Sequence, residues 1–148
     1  MLFRSYVTED GGRAQPIMVH RGVLSTMERM VALLIEEYEG NFPLWLAPTQ
    51  AVVIPIADRH VPYAQEVAAQ LKAQRLRVEV DNRSDRMNAK IRDAQLRKIP
   101  YMLVVGDREA AAQAAALRVR GGTDLGAMLV AEIVEKLRTE RDTRALAP

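Results

Sequence analysis

The chain has 148 residues, of which 49% are apolar and 27% charged, with a formal net charge of +2, no cysteine and two histidines. That length suits one compact domain with a short appendage, and 49% apolar content is enough for a core. No cysteine means no disulfide and no thiolate ligand; no long apolar run means no membrane-spanning helix; and no charged-then-apolar leader means that a cytoplasmic chain is the expectation.

Residues 1–14 have no sustained period and contain Gly11-Gly12, so they read as a tail or loop. Residues 15–20 alternate Ile17 and Val19 and predict a short strand. Ser25 or Thr26 can cap the helix that follows, with Glu28 in its first turn and Met27, Met30, Val31, Leu34 and Tyr38 at helical spacing. Gly40 lies just past its end, where a left-handed residue costs little. The segment NFPLWLAPTQ (41–50) carries Pro43, Pro48 and the single tryptophan, Trp45; two prolines so close break helix and central strand alike and mark a domain boundary.

Beyond it the pattern alternates. Residues 51–56 predict a strand, 62–74 a helix, 76–80 a strand, 86–98 a helix, 100–106 a strand and 114–120 a strand. The step from Val104 to Leu117 is too short for a full helix and predicts a hairpin at a sheet edge. Residues 128–141 predict a terminal helix burying Met128, Val130, Ile133, Val134 and Leu137. Strands separated by helices imply right-handed crossovers. The expected fold class is α/β: three layers, with a mixed, mostly parallel sheet of about five strands flanked by helices.

Few residues carry chemistry. His20 would need partners to hold a metal, and the other histidine, His60, lies in another segment. Glu28-Arg29 is either a solvated pair or an arginine aimed at a nucleotide phosphate or purine face. No Gly-rich phosphate loop, Gly-x-Ser-x-Gly or His-Glu-x-x-His occurs, so a self-contained catalyst is not expected. The basic helix 86–98 puts Lys90, Arg97 and, less squarely, Arg86 on one stripe, with Met87, Ile91 and Leu96 facing inward. It is either a solvated surface or a face that tracks phosphates. Glu109 could accept from a guanine Watson–Crick edge, and Arg118 could bond to or stack on an exposed base. Aromatic residues make up only 5%, so a stacking groove is disfavoured. Tyr63, Tyr101 and Trp45 read as core or seam residues.

Two long stretches resemble a known family. IMVHRGVLSTMERMVALLIEEYEGNFPLWLAPTQ is similar to the end of the catalytic domain of threonyl-tRNA synthetases. KIRDAQLRKIPYMLVVGDRE, with LRVRGGTDLG and the final helix, is similar to their anticodon-binding domain. The resemblance runs from about Gln15 to the C-terminus. It implies a strand–helix remnant of a class II catalytic core over residues 1–42 and an anticodon-binding domain over 43–148. It makes His20 the last of three zinc ligands, the family's cysteine and other histidine lying upstream. Arg29 then matches the ATP-contacting arginine of the third class II motif, and Thr26 a serine of that motif, with Ser25-Thr26 replacing the usual Gly-Ser. Glu109 and Arg118 fall where anticodon bases are read, Lys98 where an arginine is common, and Ser84 in place of an asparagine, with Lys90 and Arg97 available to phosphates.

The implied function is recognition of the anticodon loop of threonine tRNA, as the C-terminal portion of a threonine–tRNA ligase that uses ATP. Zinc, ATP and magnesium are implied for the full-length enzyme, and none of them for this segment alone, which is expected to be inactive. The implied partners are threonine tRNA and the missing catalytic and editing domains, with no membrane and no DNA. A stand-alone tRNA-sensing or protein-interaction module, or a chain complementing a separate catalytic subunit, stays open beside this.

Overall fold

Asp10-Gly11 closes a hairpin where a tail was expected. In the computed structural model, which describes residues 5–17, 19, 21–22 and 26–146, β1 (Tyr6–Val7) pairs antiparallel with β2 (Arg13–Ala14). The Thr8 N–H donates to the Gly12 carbonyl at 2.8 Å, and Gly11 takes φ +79°. A left-handed glycine after aspartate is a strong hairpin signal. Residues 15–17 and 19, by contrast, form no strand, and Ile17 and Val19 are 93% and 80% exposed. A lone strand has no hydrogen-bonding neighbour, and the described residues supply none here. His20 and Ser25 lie outside the described residues.

The next element, α1 (Met27–Tyr38), begins as expected, with the Thr26 hydroxyl accepting from the Arg29 N–H at 3.4 Å. It ends on Gly40, whose N–H returns to the Ile35 carbonyl at 3.1 Å with φ +74°. No residue of α1 is buried, and Met27 and Leu33 are more than half exposed. The chain divides into two compact units, 1–33 and 34–148.

In the second unit β3 (Ala51–Pro55), a short 3₁₀ turn (Asp58–His60), α2 (Val61–Ala73), β4 (Val78–Val80), α3 (Met87–Leu96) and β5 (Tyr101–Val105) follow the expected alternation. The rest differs in detail. A five-residue helix, α4 (Asp107–Ala111), sits between β5 and β6 (Ala114–Val119) where a bare hairpin was expected. A strand not foreseen, β7 (Asp124–Leu129), precedes α5 (Val130–Thr143), so Met128 belongs to the strand. The sheet is five-stranded and mixed, in the order β4-β3-β5-β6-β7; β3 is parallel to β4 and β5, and the β5–β6 and β6–β7 pairs are antiparallel.

Alternation along the strands builds two apolar layers. Val53, Tyr101, Leu103, Val105 and Leu117 pack with Val67 and Leu71 of α2 and Ile133 and Leu137 of α5. Val52, Ile54, Met102 and Val104 pack on the other face with Ile91 and Ala94 of α3. Leu96 is 70% exposed, not inward as expected, because it lies two residues, about 200°, past Ala94. The two-proline segment is held to the sheet through its carbonyls. Arg77 donates to those of Trp45, Ala47 and Pro48, buried Gln50 to that of Leu44, and Arg120 to those of Asn41 and Phe42, the last two at 3.0 Å.

One buried acid sits in this framework. Glu140, 8% exposed, accepts from the Tyr101 hydroxyl at 2.5 Å, while its Oε1 has no hydrogen-bond partner among the described residues. Burial pushes its carboxyl above the usual range, opposed by the Tyr101 bond and by Lys136. The folded state therefore holds that proton at pH values where the unfolded chain has released it, and stability falls as pH rises through the folded value. Glu140→Gln removes the proton and with it that part of the decline. Urea unfolding followed upward from about pH 4, below the ordinary carboxyl value, should show the variant gaining on the wild type as pH rises, and profiles parallel throughout would contradict this.

Candidate nucleic-acid interface

Helices cover the two faces of the sheet unequally. On the face carrying Met102 and Val104, α3 packs over β3 and β5, whereas on β6 and β7 Ala116 is half-buried and Ala127 exposed. Register places Ala116 beside Val104, Ala127 beside Ala116, Arg118 beside Met102 and Asp124 beside Arg118. This half of the sheet is thus floored by small residues, with an arginine at one end.

The arginine is aimed by a bulge. Between Leu117↔Gly126 and Arg118↔Asp124 the register shifts, Leu125 is the extra residue and Gly126 takes φ +80°. Asp124 accepts the Gly126 N–H on Oδ1 at 2.9 Å and Arg118 Nη2 on Oδ2 at 2.7 Å. At the other end of the β5–β6 pair, Glu109 lies in the first turn of α4, and its Oε2 accepts the Gly106 N–H at 3.0 Å. Arg118 stands roughly 13 Å along β6 from Ala114, at which α4 hands over to that strand. The two expected base readers therefore bracket the open half-sheet and do not touch each other.

The other expected residues disperse. Ser84 is exposed in the β4–α3 loop. Lys98, with φ +57°, reaches the Glu39 carbonyl just past α1. Lys90 does not share a solvent stripe with Arg97. It is 4% exposed, and its ammonium donates to the carbonyls of Asp81 at 3.1 Å and Pro55 at 3.4 Å, at the carboxyl ends of β4 and β3. It directly precedes Ile91 and lies one turn before Ala94 on the inward face, and its long stem lets the charge reach those carbonyls.

The basic stretch is also largely neutralised from within. Arg83 binds Asp81 and Asp93 and approaches Asp85 at 3.4 Å, while Arg97 binds Glu79 at 2.7 Å. The Arg83 guanidinium holds the Asp81 carboxyl below its usual range; Glu79 is lowered first by the Thr49 hydroxyl and then by Arg97. Of these cations, Arg86 and Arg92 are exposed and make no ion pair among the described residues. These pairs and the buried Lys90 explain why counting charges along 83–98 overstates the positive surface.

In the first unit, Thr26 spends its hydroxyl on capping α1, and Arg29 is exposed on the first turn. Among the described residues, no three of His, Cys, Asp or Glu are grouped to hold a metal, so those residues do not form a zinc site, and His20 lies outside them. His60 is committed elsewhere: it is 5% exposed and 2.8 Å from Asp107.

The anticodon binding domain family matches residues 50–140. The threonine–tRNA ligase of Natranaerobius thermophilus is 49% identical over 138 residues, covering 93% of this chain and 22% of that protein. That of Burkholderia multivorans is 50% identical over 135 residues, covering 91% and 21%. The crystal structure of the RNA binding domain of threonyl-tRNA synthetase from Cryptosporidium parvum superposes with TM-score 0.75 at 32% identity, covering 91% of this chain and 34% of that one. The chain spans about a fifth of the length of the curated relatives it matches.

Proposed function

We propose that this chain, which belongs to the anticodon-binding domain family, docks the anticodon loop of threonine tRNA as the C-terminal portion of a threonine–tRNA ligase. The observation that carries the reading is the open half of the sheet, floored by Ala116 and Ala127 and bracketed by Arg118 and Glu109. An unstacked loop needs such a floor, with edge-reading groups at its rim, because single-stranded bases expose the Watson–Crick edges that a duplex hides. Arg118 can donate to base acceptors, and Glu109 can accept from a guanine edge while one oxygen keeps its bond to Gly106.

Phosphate contacts set register and affinity, and base contacts set identity. Lys98 belongs to the first kind: its ammonium, now on the Glu39 carbonyl, turns outward to a phosphate. Arg86, just before α3, and Arg92, within it, add charge along that helix, Arg97 does so by leaving Glu79, and Ser84 offers a hydroxyl. Lys90 acts from within, holding the ends of β3 and β4. Residues 43–148 are the anticodon-binding part, and residues 1–42 close a catalytic core whose remainder covers the exposed apolar residues of α1. In that full-length, cytoplasmic enzyme, which uses magnesium with its ATP, Arg29 would contact the ATP with Thr26 at the turn, and His20 would supply one zinc ligand, the others coming from upstream. Thr26, Arg29 and His20 are too few to enclose a nucleotide or hold zinc, so the segment alone does not attach threonine to tRNA.

The test is binding to the isolated anticodon stem-loop of threonine tRNA. The stem-loop should retain most of the affinity of the whole tRNA; binding to the tRNA with none to the stem-loop would overturn the reading. Lys98→Ala should weaken binding to every tRNA by a similar factor, about three- to tenfold, and reduce the slope of log affinity against log salt by about one.

A further inference from the structure

β3 and β5 are adjacent and parallel, and the segments that leave their carboxyl ends meet. The Ile56 N–H still donates to the Val105 carbonyl at 3.0 Å; the 3₁₀ turn then departs on one side, and Gly106 opens α4 on the other. Three side chains lock this junction. Arg59 donates Nε and Nη2 to the two oxygens of Asp107 at 3.0 and 2.5 Å, and His60 Nε2 meets Asp107 Oδ1 at 2.8 Å. The His60 ring cannot swing away. Its side chain is 6% exposed and its Nδ1 accepts the Ala57 N–H at 3.3 Å, which assigns the hydrogen on Nε2 to Asp107. Arg59 first, and His60 second, hold the Asp107 carboxyl well below its usual range.

Two residues beyond Asp107 stands Glu109. Its carboxylate occupies the space over Gly106: a Cβ on that glycine would lie 2.8 Å from Ile56 Cδ1 and 3.0 Å from Glu109 Oε2. The helix that carries both acids has five residues, closed by bonds such as Ala110 N–H to the Gly106 carbonyl at 2.9 Å. One turn of helix does not hold its own direction, since its nucleus is costly and none of its residues is buried. Something outside the turn must orient it, and Asp107 is the residue that ties its first turn to the neighbouring strand's exit.

We infer that Asp107, gripped by Arg59 and His60, is a positioning residue for anticodon discrimination, setting where the Glu109 carboxylate meets the base. This rests on the reading of Glu109 as a base-facing group. Asp107 touches no base. The Arg59 and Asp107 side chains are 67% and 68% exposed, and an ion pair that open to water contributes little to global stability. Its consequence is direction, so specificity responds to its loss where folding does not.

The experiment measures affinities of the chain for threonine tRNA and for an anticodon-swapped tRNA, with Asp107→Asn, Glu109→Gln, the double variant and Arg59→Ala, alongside their melting temperatures. Asp107→Asn should lower the ratio of the two affinities about tenfold, as Glu109→Gln does, leaving affinity for the swapped tRNA unchanged. The double variant should fall no further than Glu109→Gln alone, since both changes act through one carboxylate. If Asp107→Asn melts early, the exposed Arg59→Ala carries the test, with an expected loss of about threefold in the ratio. A wild-type ratio in Asp107→Asn or Arg59→Ala beside a reduced one in Glu109→Gln overturns this inference and leaves the Glu109 reading standing. A wild-type ratio in Glu109→Gln overturns that reading, and this inference with it.

Discussion

Replacing Leu103 by alanine should destabilise the second unit by about 3–4 kcal/mol. Leu103 is fully buried in β5, the middle of the five strands, opposite Val53 of β3 on one side and Leu117 of β6 on the other. It packs in the layer formed with α2 and α5, and a cavity there is walled by strands that are themselves hydrogen-bonded on both edges. Such a site collapses poorly, which keeps the cost out of the lower part of the usual range of about 2–5 kcal/mol for a leucine truncation. Against a total of about 5–15 kcal/mol for a native protein, that is a large fraction. The melting temperature should fall by roughly 8–14 °C, and the urea midpoint should move down with its slope unchanged. A loss below about 1 kcal/mol would mean that β5 is not the centre of the core.

Arg118→Ala should do the reverse, sparing the fold and removing selectivity. Its pair with Asp124 at 2.7 Å is substantially exposed, and pairs of that kind contribute about 0–1 kcal/mol. The bulge keeps its own fastening, because the Gly126 N–H stays bonded to Asp124 Oδ1. What disappears is the aimed guanidinium at one end of the open half-sheet. Affinity for threonine tRNA should drop about 10- to 100-fold, the range of a lost base contact, with little change for an anticodon-swapped tRNA. An equal loss for both tRNAs would make Arg118 a phosphate contact. A fall in melting temperature beyond a few degrees would make it a structural residue.

Where local pattern and tertiary demand agree, this fold is legible in its sequence. β3 and β5 are apolar runs between turn signals, and α2 and α5 carry their buried faces at helical spacing, so their existence followed from period alone. β7 did not, because Gly121, Gly122 and Gly126 make 121–129 look like a loop; only pairing with β6, through a bulge that needs a positive-φ glycine, turns it into a strand. The strand expected at 15–20 fails for the opposite reason: its alternation is present, but a strand without a neighbour has no bonds to make. The hairpin at β1 and β2 had its signal in Asp10-Gly11, which reading the stretch as a tail passed over.

The site divides along the same line. Glu109 and Arg118 were identifiable as residues able to read a base, and resemblance gave them their positions, but only the register reveals that they bracket one uncovered half-sheet. Lys90 looked like surface charge because it sits in a basic helix, yet its phase matches Ile91 and Ala94. Arg59 and His60 are neighbours but lie 48 and 47 residues from Asp107 in sequence, and the trace that could have exposed the cluster is Gly106-Asp107 opening a helix directly after a buried strand.

The most direct measurement compares the affinity of the unaltered chain for threonine tRNA with that for the same tRNA carrying another anticodon. Tighter binding to threonine tRNA by at least tenfold is the result predicted by two base readers at the ends of an open sheet. Equal affinity for the two, at any salt concentration, would contradict anticodon reading by this chain and leave only phosphate binding.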